Sequence, residues 1–292
     1  MIDYEPKRWG SILFSTAGSV GPRLLPRTSI AAAIGGLASW LYIEHHFSVP
    51  SLPHTILGVA LGLLLVFRTN ASYDRYWEGR KLLAGLVNRT RDFTRQLVGH
   101  VRAKEHAPVV EDMIRLLDVF YVMAMQSLRA ETDLSKVGEL TADEKKLLAP
   151  HTEARAMIVL TWITDRVSRL ERAGVISDAR LKAAEENLTA LVDNYSHCER
   201  IVRTPVPFAY AQHIKVFVTL FCYTIPFVMV AEMKQYNAIP AAILAFALFG
   251  IDEIGVEIED PFGRDPNDLP IEAIGETIKK SNQEILRAGV RP

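Results

Sequence analysis

The uncharged run AIPAAILAFALFGI, Ala238 to Ile251, opens directly onto a cluster of carboxylates. Between Asp252 and Asp268 stand seven acids (Asp252, Glu253, Glu257, Glu259, Asp260, Asp265 and Asp268) and one base, Arg264. A soluble core helix seldom ends in this way. A helix leaving a membrane beside a hydrated, ion-bearing vestibule can, because charges at that depth must be paired or wetted.

The average composition conceals this pattern. With a net charge of -1 and 23% charged residues, the chain resembles an ordinary globular protein. Residues 28–67 and 212–251 are apolar, however, while residues 68–211 are rich in Lys, Arg, Asp and Glu. This segregation predicts a membrane portion and a large water-facing portion. A charge near zero, without a basic patch interleaved with aromatics, argues against a nucleic-acid partner. The two cysteines, Cys198 and Cys222, form no metal or redox spacing and predict no disulfide. The N-terminal MIDYEPKRWGS has no apolar signal core.

About 20 apolar residues are needed to cross a hydrocarbon core of about 30 Å. Segments 28–47 and 52–67 form one expected hairpin, joined by the short SVPSLP; segments 214–233 and 238–254 form a second, around KQYN. Four crossings is the economical count. The alternative is that 52–67 and 238–251 are buried helices of a soluble α-protein. Lys7, Arg8, Arg23 and Arg27 precede the first hairpin, and Arg68, Arg75, Arg80 and Lys81 follow it. The hairpin tips carry only Lys234, so the Lys and Arg bias places both tips outside and both termini in the cytosol.

The expected organisation is therefore 1–68 with the first hairpin, 69–211 as a cytosolic helical region, 212–256 with the second hairpin, and 257–292 as an acidic loop and C-terminal helix. Met113–Leu128 is apolar at helical spacing but carries Arg115 and Asp118, which predicts a buried cytosolic helix. Thr141 and Glu144 fit a capping box for a helix that Gly174 stops; Ser177 starts another, through Ala179 to about Cys198. Pro205 and Pro207 bend the chain ahead of the second hairpin. No strand alternation occurs. The fold class is all-α.

In the second crossing, Gly58 and Gly62 form a G-x-x-x-G pair that permits close helix approach. Val59, Leu63 and Phe67 share the adjacent stripe; copies of this helix around an axis would stack them into apolar rings, a constriction that gates by dewetting. Arg68, Arg75 and Arg80 are placed to pair with the acids after Ile251. Glu253 and Glu257 share a helix face and repel unless neutralised, by those arginines or by passing cations. Asp260, Asp265 and Asp268, in a glycine-containing loop, could hold Ca²⁺ without matching an EF-hand, or Asp268 could cap a last helix over 269–288. His45, His46 and His54 read as residues of the outer mouth. No nucleophile elbow, phosphate-cradling loop or dinucleotide fingerprint is present, so an enzyme reading has no residue to rest on.

The segments KRWGS (Lys7–Ser11), FRTNASYDRYWEGR (Phe67–Arg80), TPVPFAY (Thr204–Tyr210) and DEIGVEIEDPFG followed by NDLP (Asp252–Pro270) resemble the bacterial bestrophins, in the family's order and across essentially the whole chain. The resemblance implies a homopentameric ion channel with one axial pore, four transmembrane helices per subunit and a large cytosolic helical part, with lipid and monovalent ions as its other partners. It puts the hydrophobic neck on Val59, Leu63 and Phe67 and a second, cytosolic aperture at Ala179, where relatives often carry a larger aliphatic residue. Animal members bind Ca²⁺ at an unbroken acidic run; here Arg264, Pro266 and Asn267 interrupt it, so no cofactor is expected unless Ca²⁺ still binds. Animal members conduct anions and prokaryotic relatives favour cations. The surplus carboxylates Asp252, Glu253 and Glu257 lean the expectation towards monovalent cations, with chloride selectivity as the alternative. A secondary transporter working through Glu253 or Glu257, and a non-conducting scaffold, are the rival functions.

Overall fold

The structure, a computed structural model, describes residues 5, 7–101 and 103–289. Residues 1–4 and 6 of the N-terminal stretch without a signal core lie outside them, as do residues 290–292 at the end of the last expected segment. All regular structure among the described residues is helical. The helices are α1 (Trp9–Leu13), α2 (Gly21–His45), α3 (Ser51–His100), α4 (Ala107–Leu128), α5 (Ala142–Leu148), α6 (Arg155–Arg172), α7 (Asp178–Arg203), α8 (Phe208–Thr224), α9 (Pro226–Met233), α10 (Ala238–Glu257) and α11 (Ile271–Gly289). They fall into two compact units, 1–77 with 205–268, and 78–204 with 269–292.

In the first unit, Leu24 and Ala31 of α2, Leu61 and Leu65 of α3, Ile214, Val218 and Phe221 of α8, and Ala245 and Phe249 of α10 form one core. Helices α2 and α10 pack antiparallel and close. A Cβ on Gly35 would lie 2.8 Å from the Ala238 Cα, and Ala31, Gly35 and Ser39 of α2 are buried together with Ala241 and Ala245 of α10. This is the small-residue seam typical of helices that meet within a membrane. The G-x-x-x-G pair expected to do this does not: Gly58 faces the Phe221 ring, and nothing lies within 4 Å of a Cβ on Gly62.

Three helical segments are long and apolar enough to cross a membrane, by length and composition: Ser51–His100, Phe208–Tyr236 and Ala238–Glu257. The expected crossing over 28–47 lies largely in α2, which is not among these three and carries Glu44 and His45 in its last turn. Its outward residues are nevertheless apolar, with Leu25, Ile30, Leu37, Trp40 and Ile43 all exposed. The expected span over 214–233 is two helices, since Pro226 has no N–H to continue α8. The second expected crossing does not stop at Arg68. With no proline after Pro53, α3 continues for 50 residues, of which 78–100 belong to the second unit.

The second unit also contains α4–α7 and α11. Met113, Leu116, Leu117 and Phe120 of α4 meet a buried face of α6 (Val159, Ile163 and Val167), and Phe120 stands edge-on to Tyr195 of α7. The capping box forms as read: Thr141 Oγ1 accepts from the Glu144 amide, and Glu144 Oε2 accepts from the Thr141 amide at 2.8 Å. It starts only the short α5, however, and Gly174 (φ 71°) follows a separate helix, α6. The two units expose different surfaces. Exposed large apolar side chains crowd the first, whereas Val122 and Leu147 are the ones found among described residues of the second. Exposed apolar side chains in this number are what a membrane-embedded unit presents to lipid.

Candidate pore helix and its ionic anchor

Over residues 59–74, α3 has two distinct faces. Leu61, Leu65, Arg68 and Ser72 recur at helical spacing and are buried against the first unit. On the far side Val59, Leu63 and Phe67 are 72%, 56% and 55% exposed, pointing away from the core of their own chain. Asn70 and Asp74 continue the same exposed stripe. The apolar stripe is thus available to whatever surrounds the unit.

Arg68 holds the buried face of α3 in place. Its guanidinium, almost wholly buried, lies 3.4 Å from Asp252 Oδ1 and donates to Glu259 Oε2 at 3.0 Å. Asp252 also faces Lys215 Nζ of α8 at 3.6 Å. Arg75 Nε donates to the Glu259 carbonyl, and Glu259 Oε1 accepts from the Val206 amide at 3.1 Å. One carboxylate, Glu259, therefore ties α3 to the bend after Pro205. Buried charges demand this degree of pairing, since isolating one costs several kcal/mol. Arg80, expected in the same role, falls in the second unit and is exposed.

The remaining acids of α10 are engaged by α2. Arg27 Nη1 donates to Glu253 Oε2 at 3.0 Å, and Arg23 reaches Glu257 Oε2 at 3.5 Å and Asp265 Oδ1 at 3.1 Å. Glu257, buried, also accepts from Asn267 Nδ2 at 2.8 Å. The i, i+4 acids that would repel each other are thus matched by i, i+4 arginines on an antiparallel helix.

Asp260, Asp265 and Asp268 are each engaged within the chain, and the carboxylates of Asp260 and Asp268 both lie against Gly263. Asp260 accepts from the Phe262 amide and Asp265 pairs with Arg23; Asp268 accepts from the Asp265 amide at 2.6 Å. Asp268 closes this loop and does not cap α11, which begins at Ile271. Burial pushes its carboxyl up to about 6; the neighbouring carboxylates add to this, and the Asp265 amide opposes it. Among the described residues no group of three His, Cys, Asp or Glu side chains is arranged to hold a metal ion. Ala179, the expected second aperture, is exposed on the first turn of α7. Of the outer histidines, His54 Nε2 meets Thr224 Oγ1 at 3.0 Å beside the α8–α9 break.

A family model described as Bacterial/Fungal Bestrophin protein matches residues 1–284. The chain belongs to the bestrophin family. Two similar proteins are a voltage-dependent anion channel-forming protein of Nostoc sp., 37% identical over 96% of this chain and 92% of that one, and its namesake from Synechocystis sp., 33% identical over 97% and 93%. Among solved structures, a bacterial bestrophin homolog from Klebsiella pneumoniae superposes with a TM-score of 0.83 at 26% identity, covering 92% of this chain and 98% of that one.

In this bestrophin Arg68 meets Asp252 and Glu259 as the sequence led one to expect, but Glu253 and Glu257 are held by Arg27 and Arg23 and not by the arginines of α3. Sequence reasoning read Arg23 and Arg27 for topology alone, although their i, i+4 spacing mirrors that of Glu253 and Glu257. It also passed over Lys215, Asn267 and the Val206 amide, which no local pattern distinguishes.

Proposed function

We propose that this bestrophin is a passive channel for monovalent ions, a homopentamer in which α3 lines one axial pore and Val59, Leu63 and Phe67 form a hydrophobic neck. The observation that carries this reading is the exposed apolar stripe of α3. Its three large side chains turn away from the chain's own core, and family membership supplies the precedent for grouping copies of that helix around an axis. Apolar rings of this kind pass ions only when wetted, which makes them a gate.

The apolar helices of the first unit sit in the bacterial inner membrane, with α2 as a fourth crossing beside the three apolar segments, and their exposed aliphatic and aromatic side chains contact lipid. The helical region over 69–211, the acidic loop, the last helix and both termini are cytosolic. Ala179, a small side chain, leaves any second aperture wide. Asp252, Glu253 and Glu257, with Arg68 and Arg75, lock helices together rather than attract ions, which removes the main support for a cation preference from that cluster. The names of the Nostoc and Synechocystis relatives favour anions.

A secondary transporter is the second reading, favoured by one observation, the interruption of the α8–α9 span at Pro226. Planar-bilayer recording of the purified protein under asymmetric KCl separates the two. Unitary currents are expected from a channel, and their reversal potential reports the sign of the permeant ion. Flux at carrier turnover without unitary steps supports the transporter, and silence from an intact oligomer supports a scaffold. Native mass spectrometry tests the pentamer directly.

A further inference from the structure

On the exposed stripe of α3, Val59, Leu63 and Phe67 are followed by Asn70 and then Asp74. The spacing of four, four, three and four keeps all five side chains within one narrow arc of a 3.6-residue helix. Asp74 lies two turns past Phe67, about 10 Å along the helix axis. Of the two helix faces, this is the one that carries no contact with the chain's own core.

The pairing of its charge distinguishes Asp74 from the acids in and just after α10. Asp252 and Glu259 meet Arg68, Glu253 meets Arg27, and Glu257 meets Arg23. Asp74 is exposed, and among the described residues no basic side chain pairs with it. Its own helix offers none, since the positions three and four residues away are Asn70, Ala71, Trp77 and Glu78. Arg75, the adjacent base, turns to the opposite side and donates to the Glu259 carbonyl.

We infer that Asp74 is a charge-selecting residue of the conduction path, repeated as a ring of carboxylates at the inner end of the neck, where it raises cation over anion permeability. This rests on the channel reading, with α3 facing the axis. A carboxylate about 10 Å from Phe67 is roughly one Debye length away at physiological salt, so its field reaches the mouth of the constriction. Several copies around one axis, walled by low-dielectric helices, focus that field further. Rings of Asp or Glu are a general device for favouring cations.

The test is the reversal potential of Asp74→Asn in planar bilayers under asymmetric KCl, beside the wild-type protein. The expected result is a shift towards the Cl⁻ equilibrium potential, with the K⁺ to Cl⁻ permeability ratio falling about threefold or more. Asp74→Lys moves it further the same way, and Asp74→Glu restores it. Should Asp74→Asn fail to assemble, Asp74→Cys in the natural background serves instead, because Cys198 and Cys222 are buried. A negatively charged thiol reagent then raises the ratio and a positively charged one lowers it. Currents that persist with an unmoved reversal potential in these variants overturn the inference while leaving the channel standing. An oligomer weakened without a change in selectivity also overturns it, because that is the mark of a subunit contact. Silence of the wild-type protein overturns the channel reading itself, and the role of Asp74 with it.

Discussion

Arg27 of α2 donates to Glu253 of α10 at 3.0 Å, although 226 residues separate them in the chain. One turn along each helix, Arg23 faces Glu257. The antiparallel packing of α2 on α10 turns two mutually repelling pairs of like charges into a ladder of opposite ones. Arg27→Glu combined with Glu253→Arg should therefore recover most of the stability lost by either change alone. With Arg27 partly exposed, the expected coupling is about 0.5–1 kcal/mol, read from a double-mutant cycle of thermal unfolding in detergent.

At the other end of that helix pair, the fit is steric. A methyl group on Gly35 would press on the Ala238 backbone at 2.8 Å, where no flexible side chain can yield. Gly35→Ala should cost about 1–3 kcal/mol, a fall of several degrees in Tm. Gly62→Ala, with open space around its Cβ, should leave Tm unchanged or raise it slightly, since Ala is the better helix former. Equal losses at the two glycines would contradict the seam described for α2 and α10.

Arg68 neutralises two carboxylates from a buried position. Arg68→Met leaves Glu259 without its cationic partner and Asp252 with Lys215 alone, so a loss of about 3–5 kcal/mol is expected. Size-exclusion profiles and Tm would report it. Arg68→Lys keeps the charge but gives up the planar fork that reaches both acids, and should recover only part of the loss.

In the second unit, burial pushes the Asp118 carboxyl from 3.8 up to about 7, with Lys279 opposing and Glu139 adding to the rise. The folded chain thus holds a proton that the unfolded chain releases. Its contribution to stability is complete below about pH 4 and is lost as the pH climbs to about 7, by up to about 1.4 kcal/mol per pH unit. Wild-type Tm should decline over this window relative to Asp118→Asn, which is neutral throughout. Parallel Tm profiles for the two proteins would mean that Asp118 is already ionised in the folded state.

Trimming the neck should ease wetting. Leu63→Ala or Phe67→Ala is expected to raise open probability or unitary conductance in bilayers. Currents unchanged in both variants would remove these residues from the gate.

The sequence by itself determined the all-helical class, the two apolar phases flanking a charged one, the capping box at Thr141, and the four motifs that carry the family. These are local properties: periodicity, propensity and charge are written in neighbouring residues. It also grouped Val59, Leu63 and Phe67 on one stripe. Only the tertiary structure decided that this stripe faces outward, because a period fixes which residues share a face but not which face meets the core. Likewise, the acids after Ile251 were plain in the sequence, and their neutralisation was not. A carboxylate's electrostatic role depends on the charge beside it, and for Glu253 and Glu257 that charge comes from α2, at the far end of the chain. The true seam of small residues was hidden for the same reason. Gly58 and Gly62 match a motif, but close backbone approach requires a second backbone to be there; Gly58 meets the Phe221 side chain, and it is Gly35 that lies against the backbone of Ala238.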